Sequence, residues 1–382
     1  MPWDTRDTMS LREEFVRLAG NEEVNRRELC RRFGISPKTG YKWLARYAED
    51  QAQSLKDRSR RPLHSPSRTV AELEAAVIAL RKQHPAWGGR KISKRLQTLG
   101  HAEAPAPSTV TGILHRHGLI NEQASAQATP WHRFEHPEPN MLWQIDFKGY
   151  FATPAGLCYP LTVLDDHSRF NLVLAACART GVKSVQPVLA ATFRRYGLPM
   201  RINGDNGAPW GSSREREHGI TQLTVWLIRL GIRISHSAPA HPQTNGKDER
   251  FHRSLKAEVL NGRSFSDLDH AQRAFDLWRE VYNQERPHDA LGLATPIERY
   301  RPSPKTFPEQ LPSIEYGPDD IVAQVGWNGE VRFKGKRLKA PKALLHLPVA
   351  FRPNPKEDGA YDVYFCHECF MRFSLRKPGK TA

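Results

Sequence analysis

The sequence predicts a multidomain fold: helical units at the amino-terminal end, a mixed α/β core in the middle and a small β-barrel at the carboxyl end. Three observations carry this. Apolar residues recur at helical spacing, broken by Gly- and Pro-containing turns, as far as residue 120. After Pro139 the period changes to alternation, the mark of strands. Beyond a Pro-rich stretch, Arg301–Pro312, short strand-like runs take over.

At 382 residues the chain is too long for one small domain, and 39% hydrophobic residues against 26% charged ones supply real cores. No run approaches the roughly 18 apolar residues of a membrane span. The opening MPWDTRDTMS lacks the apolar run of a signal peptide. Five scattered Cys do not make a disulfide framework. These features predict a soluble, cytoplasmic chain with no membrane partner. The net charge of +16 is spread as +3, +4, +4 and +5 over residues 1–60, 61–140, 141–300 and 301–382. Basic excess on every segment points to a polyanion that runs past all of them, with DNA or RNA the obvious candidate.

Residues 1–56 read as a helix-turn-helix domain. Leu11, Phe15 and Leu18 form one buried stripe, and a second helical segment ends at Gly34. Ser36 suits an N-cap and Pro37 the first helical position. The next helix turns Trp43, Leu44 and Tyr47 inward and sets Lys38, Lys42 and Arg46 on the opposite face, where a recognition helix contacts DNA. A solvated helix on an ordinary bundle is the bland alternative. Residues 57–69 form a basic linker whose Arg58, Arg60 and Arg61 can track phosphates, or simply space two domains. Residues 70–120 repeat the plan less strongly. Val70, Leu73, Val77 and Leu80 make a stripe, Gly88-Gly89 breaks the chain, and Ser108 can cap a last helix whose reading face carries Thr109, Thr111, His115 and Arg116. A linker, 121–139, follows.

The core is expected over 140–300. Trp143, Ile145 and Phe147 point one way along a strand and Gln144, Asp146 and Lys148 the other. Strands at 157–164 and 169–178 flank Asp165-Asp166-His167-Ser168, a turn suited to a hairpin. Helices and short strands then alternate to a helix starting near Gly246, the pattern of a mixed sheet flanked by helices. Asp146 sits mid-strand among apolar residues, where an unpaired carboxylate is costly. Asp205 lies between Gly204 and Gly207, and Glu249 in the first turn of a helix. Carboxylates from separate elements that converge suit hard divalent cations. Singly, each has a plainer reading: an Arg partner, a turn residue, a helix N-terminus.

The segments WQIDFKGYF, LTVLDDHSRF, NGDNGAPW and HPQTNGKDERFHRSLKAE, in that order, resemble the integrase-core transposases of bacterial insertion sequences, relatives of retroviral integrase. With the helical units and the loop 283–288, the resemblance covers roughly residues 10–300. It implies a ribonuclease-H-like core and makes Asp146, Asp205 and Glu249 an Asp-Asp-Glu catalytic triad holding two Mg²⁺ (or Mn²⁺) ions. It also implies a homo-oligomer on double-stranded DNA, with the element's terminal repeats and target DNA as substrates and no small-molecule substrate. Two ions about 3.5–4 Å apart can serve both the attacking and the leaving oxygen of an in-line displacement. The Asp205–Glu249 separation of 44 positions exceeds the usual one, and the polar stretch 211–219 is the expected surplus. Asp248 is the rival acid; the motif puts Glu249 directly before Arg250.

Lys247, Arg250, Arg253 and Lys256 give that helix a basic side for the DNA backbone, and Gln243 and Asn245 in the preceding loop are further DNA-contact candidates. His241 reads as a phosphate contact or a loop-stabilising residue, and Asp165 and Asp166 as hairpin formers. Residues 301–319 are a Pro-rich linker and 320–382 the expected β-barrel, with Lys334, Lys336, Arg337 and Lys339 on its surface. The lone Cys366-His367-Glu368-Cys369 is a weak zinc signal. Two other functions use the same features: a catalytically idle DNA-binding regulator, and a metal-dependent nuclease that cuts without joining.

Overall fold

The computed structural model describes residues 8–21, 23–50, 55–57, 68–120, 135–211, 219–236 and 246–375. The chain divides after Arg68 into two compact units. The first holds α1 (Thr8–Ala19), α2 (Arg26–Arg32) and α3 (Pro37–Asp50) around Phe15, Val16, Ala19, Leu29, Cys30 and Trp43. Asn25 caps α2 by accepting from the Arg27 and Glu28 amides, and Ser36 caps α3 by accepting from the Thr39 amide at 3.2 Å. Leu11 and Tyr47, expected inward, are each 39% exposed. The stripe of α1 is centred on Phe15 and Ala19 instead, and beneath α3 Trp43 is buried with Leu44 packed against the same cluster.

The second unit opens with α4 (Ala71–Gln83), α5 (Gly89–Thr98) and α6 (Pro107–Arg116), packed around Val77, Trp87, Ile92, Val110 and Ile113. Helix α6 begins with Pro107 in its first turn, so Ser108 is a helical residue and not the expected cap. Val70 is exposed at the α4 N-cap.

A mixed sheet follows: β1 (Trp143–Phe147), β2 (Phe151–Thr153), β3 (Gly156–Asp165), β4 (Asn171–Cys177), β5 (Arg201–Gly204) and β6 (Arg233–His236). Its order is β2-β3-β1-β5-β6, with β4 paired to β3. β1, β3 and β4 are antiparallel; β5 lies parallel to β1 and β6 parallel to β5. Helices α7 (Val182–Tyr196) and α8 (Gln222–Arg229) bury Val185, Leu189, Phe193, Leu223 and Leu227 on one face. Helices α9 (Gly246–Leu255) and α10 (Leu268–Glu280) bury Phe251, Leu255, Phe275 and Trp278 on the other. Each runs on into a π-helical turn, Lys256–Leu260 and Val281–Glu285. A short helix, α11 (Pro296–Arg299), ends the core. This layering is the ribonuclease-H-like arrangement the resemblance implied.

The Pro-rich stretch after residue 300 is fastened to the core. Leu198 donates to the Lys305 carbonyl at 2.7 Å, Ser303 to the Tyr196 carbonyl at 2.8 Å, and Phe307 lies against Phe193 and Trp226. Gly197 (φ +77°) allows this approach, since a Cβ there would stand 2.5 Å from the Ser303 carbonyl oxygen.

The carboxyl region forms β7 (Ile321–Gln324), β8 (Glu330–Phe333), β9 (Lys336–Lys339), β10 (Pro348–Pro353), β11 (Ala360–Phe365) and β12 (Glu368–Ser374). The order β12-β11-β10-β7 makes one antiparallel sheet, and β8–β9 is a separate hairpin. Among the described residues no ring of strands closes, so the expected barrel is an open sheet. Its apolar face is covered by other means: Phe333 of the hairpin stacks on Phe351 at 4.1 Å, and Ile220, Val225 and Ile228 at and within α8 join the same cluster. Cys366 and Cys369 are free thiols at the β11–β12 turn, and among the described residues no group of His, Cys, Asp and Glu gathers there to hold a metal.

Candidate active site

Strand pairing brings two of the predicted acids together. In the parallel β1–β5 pair, Gln144 stands opposite Asn203. Asp146 and Asp205 each lie two residues further on, so they occupy matching positions at adjoining strand ends. Burial pushes the Asp146 carboxyl up to about 6; the Phe147 amide, donating to Oδ1 at 2.8 Å, opposes this, Asp205 adds to the rise and Lys148 reduces it. Asp205 is exposed beyond β5, where Oδ1 accepts from the Gly207 amide at 3.0 Å and the carbonyl accepts from His236 Nδ1 at 3.0 Å. Two carboxylates at adjoining strand ends, close enough for Asp205 to add to the rise at Asp146, fit a hard divalent cation.

The third acid is arranged differently. Helix α9 buries Phe251, Leu255 and, beyond its last turn, Val259, and Asp248 falls on that same stripe. Asp248 is 3% exposed, its Oδ1 has no hydrogen-bond partner among the described residues, and burial, then Asp146 and Asp166, push its carboxyl well above the usual range. Glu249, about 100° round the helix, is exposed. Among the described residues, Asp146, Asp205 and Glu249 do not gather into a metal-holding group.

Two contacts carry no signal in the amino-acid sequence. Asp146 pairs across the sheet with Thr162. The Thr162 hydroxyl donates to the Asp146 carbonyl at 3.0 Å and meets His252 Nε2 at 2.9 Å, while His252 Nδ1 lies 3.9 Å from Asp146 Oδ2. Burial, with Lys148 nearby, holds His252 down to about 4, so the ring is neutral. The hydroxyl hydrogen being spent on the carbonyl, Nε2 carries the ring proton. The second contact is Lys247 on Asp166. The buried Asp166 carboxylate also accepts from Gln144 Nε2 at 2.8 Å and the His136 amide at 2.9 Å. Asp165 accepts from Ser168 and from the Asn140 amide. Asp165 therefore shapes the hairpin, as expected, whereas Asp166 ties the turn to β1, to residue 136 and to α9. A lone mid-sheet Thr and a His three residues after Glu249 look like ordinary core residues until the strand register is known.

Of the predicted DNA contacts, Lys38 and Lys42 are exposed on α3 and Arg46 is half-buried over the Trp43 ring, 4.9 Å from its centre. Arg250, Arg253 and Lys256 are exposed along α9 and its π-helical turn. Lys247 is turned inward and bound to Asp166, so the structure corrects its assignment to the DNA face. Arg58, Arg60, Arg61, His241, Gln243 and Asn245 lie outside the described residues, as does most of the 211–219 stretch. No described helix is long and apolar enough to cross a membrane.

Comparison with known proteins matches residues 136–242 and 230–296 to integrase core domain models, 11–62 to a helix-turn-helix domain, 39–114 to a homeodomain-like domain, and 320–377 to the IS481 family transposase C-terminal domain. The chain is similar to the insertion element IS407 uncharacterized 31.7 kDa protein of Burkholderia multivorans, 29% identical over 42% of this chain and 55% of that one. It thus spans little more than half the length of that relative. It is 40% identical to the insertion element IS136 uncharacterized protein of Agrobacterium fabrum, over 42% of this chain and 83% of that one. A cryo-EM structure of the simian T-cell lymphotropic virus intasome with a PP2A regulatory subunit matches 78% of this chain and 96% of its own at 15% identity and TM-score 0.39.

Proposed function

The chain belongs to the integrase-core transposases of bacterial insertion sequences, and from that premise we propose that it binds its own element's terminal inverted repeats, frees their 3′ ends and joins them to target DNA. The observation that carries this reading is the Asp146–Asp205 pair at adjoining ends of β1 and β5. Asp146 and Asp205 would hold a divalent cation, and Glu249, by its position in the HPQTNGKDER motif, would complete the set for a second. Mg²⁺ or Mn²⁺ supplies Lewis acidity at the scissile phosphate when bound.

In the first step water attacks phosphorus and the bond to the 3′ oxygen breaks, leaving a 3′-hydroxyl. In the second, that hydroxyl attacks a target phosphodiester, forming one P–O bond and releasing a target 3′-hydroxyl. The protein's own part is positioning. Arg250, Arg253 and Lys256 grip the backbone of the element end, while Lys38 and Lys42 seat α3 in the major groove. Lys247 holds the start of α9 to the β3–β4 hairpin. The protein acts as a homo-oligomer on DNA, in the cytoplasm.

Asp146→Asn, Asp205→Asn and Glu249→Gln test the reading on labelled duplexes carrying the element ends. Each is expected to lower cutting and joining more than a thousandfold and to leave binding within about threefold. Asp248→Asn is expected to keep cutting within tenfold. The reverse result for the last two would make Asp248 the third acid. Wild-type protein that binds and never cuts is a regulator; one that cuts and never joins is a nuclease.

A further inference from the structure

Helix α5 carries Arg90, Lys91, Lys94 and Arg95, a set that resembles a phosphate-gripping face. Three of the four are turned onto acids of the core. Arg95 binds Glu285 closely; Arg90 lies 3.4 Å from Asp289 Oδ1, and Lys91 lies 3.6 Å from Oδ2. Arg95 and Lys91 are only 17% and 16% exposed at their side chains. The π-helical turn Val281–Glu285, closed by the Arg286 amide on the Val281 carbonyl at 2.9 Å, presents Glu285 to Arg95. The same turn pushes Val281 against the Val77, Trp87 and Ile92 cluster of the helical unit. An apolar plug ringed by ion pairs thus joins α5 to the end of α10.

The connection continues in both directions. On the core side, Gln272 of α10 holds β4 through its side-chain amide, Oε1 accepting from the Ala176 amide at 2.8 Å and Nε2 donating to the Leu174 carbonyl at 3.0 Å, and Arg279 donates to the Leu172 carbonyl at 2.8 Å. On the helical side, α5 and α6 cross at Gly89, and Arg81 binds the Leu119 and Trp87 carbonyls, fixing the chain just past α6. Ser108, Thr109 and His115 of α6 are exposed, while Thr111 lies against Gly89 of α5. Helix α6, the second candidate reading helix, and the sheet that carries Asp146 are therefore linked through packed, hydrogen-bonded elements.

We infer that Glu285 and Asp289 are positioning residues: by clasping α5 they hold α6 at a fixed distance from the strand-end acids, and so set which phosphodiester is cut relative to the bases read. The inference rests on the proposed activity for its cutting consequence alone. The clasp itself can be judged without catalysis.

The experiment uses the 382-residue chain and three variants: Glu285→Lys, the isosteric Glu285→Gln/Asp289→Asn, and the charge exchange Arg95→Glu/Glu285→Arg. Amide hydrogen exchange is followed over 89–98, and cut positions are mapped on end-labelled duplex. The first two variants should raise exchange in α5 at least tenfold, keep duplex binding within threefold and scatter cuts over neighbouring phosphodiesters. The exchanged pair should return both readouts toward wild type. Unchanged exchange in the isosteric variant, or raised exchange with cuts still at the wild-type position, overturns the inference. Wild-type protein that cuts no element end overturns the proposed activity instead, and the exchange arm still decides the clasp.

Discussion

Thr162 and His252 meet at 2.9 Å across the sheet face that carries Asp146, tying α9 to β3 and β1 through one hydroxyl. Both residues are buried. Removing either partner leaves a buried polar group without its bond, at about 1–3 kcal/mol; removing both by shape-matched apolar groups costs much less. Thr162→Val and His252→Phe are each expected to lower unfolding free energy by that amount in urea titrations, and the double variant by less than their sum. Strict additivity would mean that the two groups do not interact.

This bridge also marks what the sequence could and could not carry. Alternation from Trp143 to Lys148 was readable because β1 turns apolar side chains to one face and polar ones to the other, and helical spacing from Phe251 to Val259 because α9 buries one face. Register was not: nothing in the linear order says that Asp146 stands beside Thr162, or that α9 turns Asp248 toward the sheet and leaves Glu249 exposed. Strands β9 and β12 carry little signal in the sequence, because their few apolar residues are interspersed with Lys, Arg and Glu. Lys247 looked like a DNA contact because a Lys beside an Arg-rich run usually faces solvent; its partner, Asp166, is 81 residues away.

At Gly89 α5 and α6 approach closely. A Cβ at this position would come 2.5 Å from the Pro107 carbonyl oxygen and closer still to the Thr111 hydroxyl, so α5 and α6 would have to separate. Overpacking of this kind costs typically 1–3 kcal/mol. Gly89→Ala should therefore destabilise the protein by about that much in urea or thermal melts, although alanine is the better helix former. An increase in stability would mean that the crossing relaxes without strain.

Lys91 supplies a pH test of the clasp. Burial lowers its ammonium to about 8, with Arg286 and Arg250 adding to the fall and Asp289 and Glu258 opposing it. A lysine that is easier to deprotonate folded than unfolded costs stability while both states are charged, below about pH 8. That cost fades as pH rises toward the ordinary value near 10.5. Stability of wild type relative to Lys91→Met should thus rise between about pH 8 and 10.5, by on the order of 3 kcal/mol at most. A difference that is flat over this range, measured by urea unfolding at each pH, would remove the buried charge from the account.

Salt dependence separates the cations that hold DNA from those that hold the fold. Each phosphate neutralised on duplex DNA contributes about −0.9 to the slope of log binding constant against log salt. Lys38 and Lys42 are exposed on α3, so Lys38→Gln and Lys42→Gln should each make the slope shallower by about one and weaken binding evenly across sequences. Arg12 is the contrast. Its guanidinium lies 4.0 Å from the Trp43 ring centre, donates to the Leu55 carbonyl at 2.7 Å and pairs with Asp57 at 2.9 Å. Arg12→Gln should lower the melting temperature of the amino-terminal unit and leave the slope of the folded protein unchanged. If Arg12→Gln flattened the slope and Lys38→Gln did not, the DNA face would lie on α1 and its surroundings, and α3 would not be the reading helix.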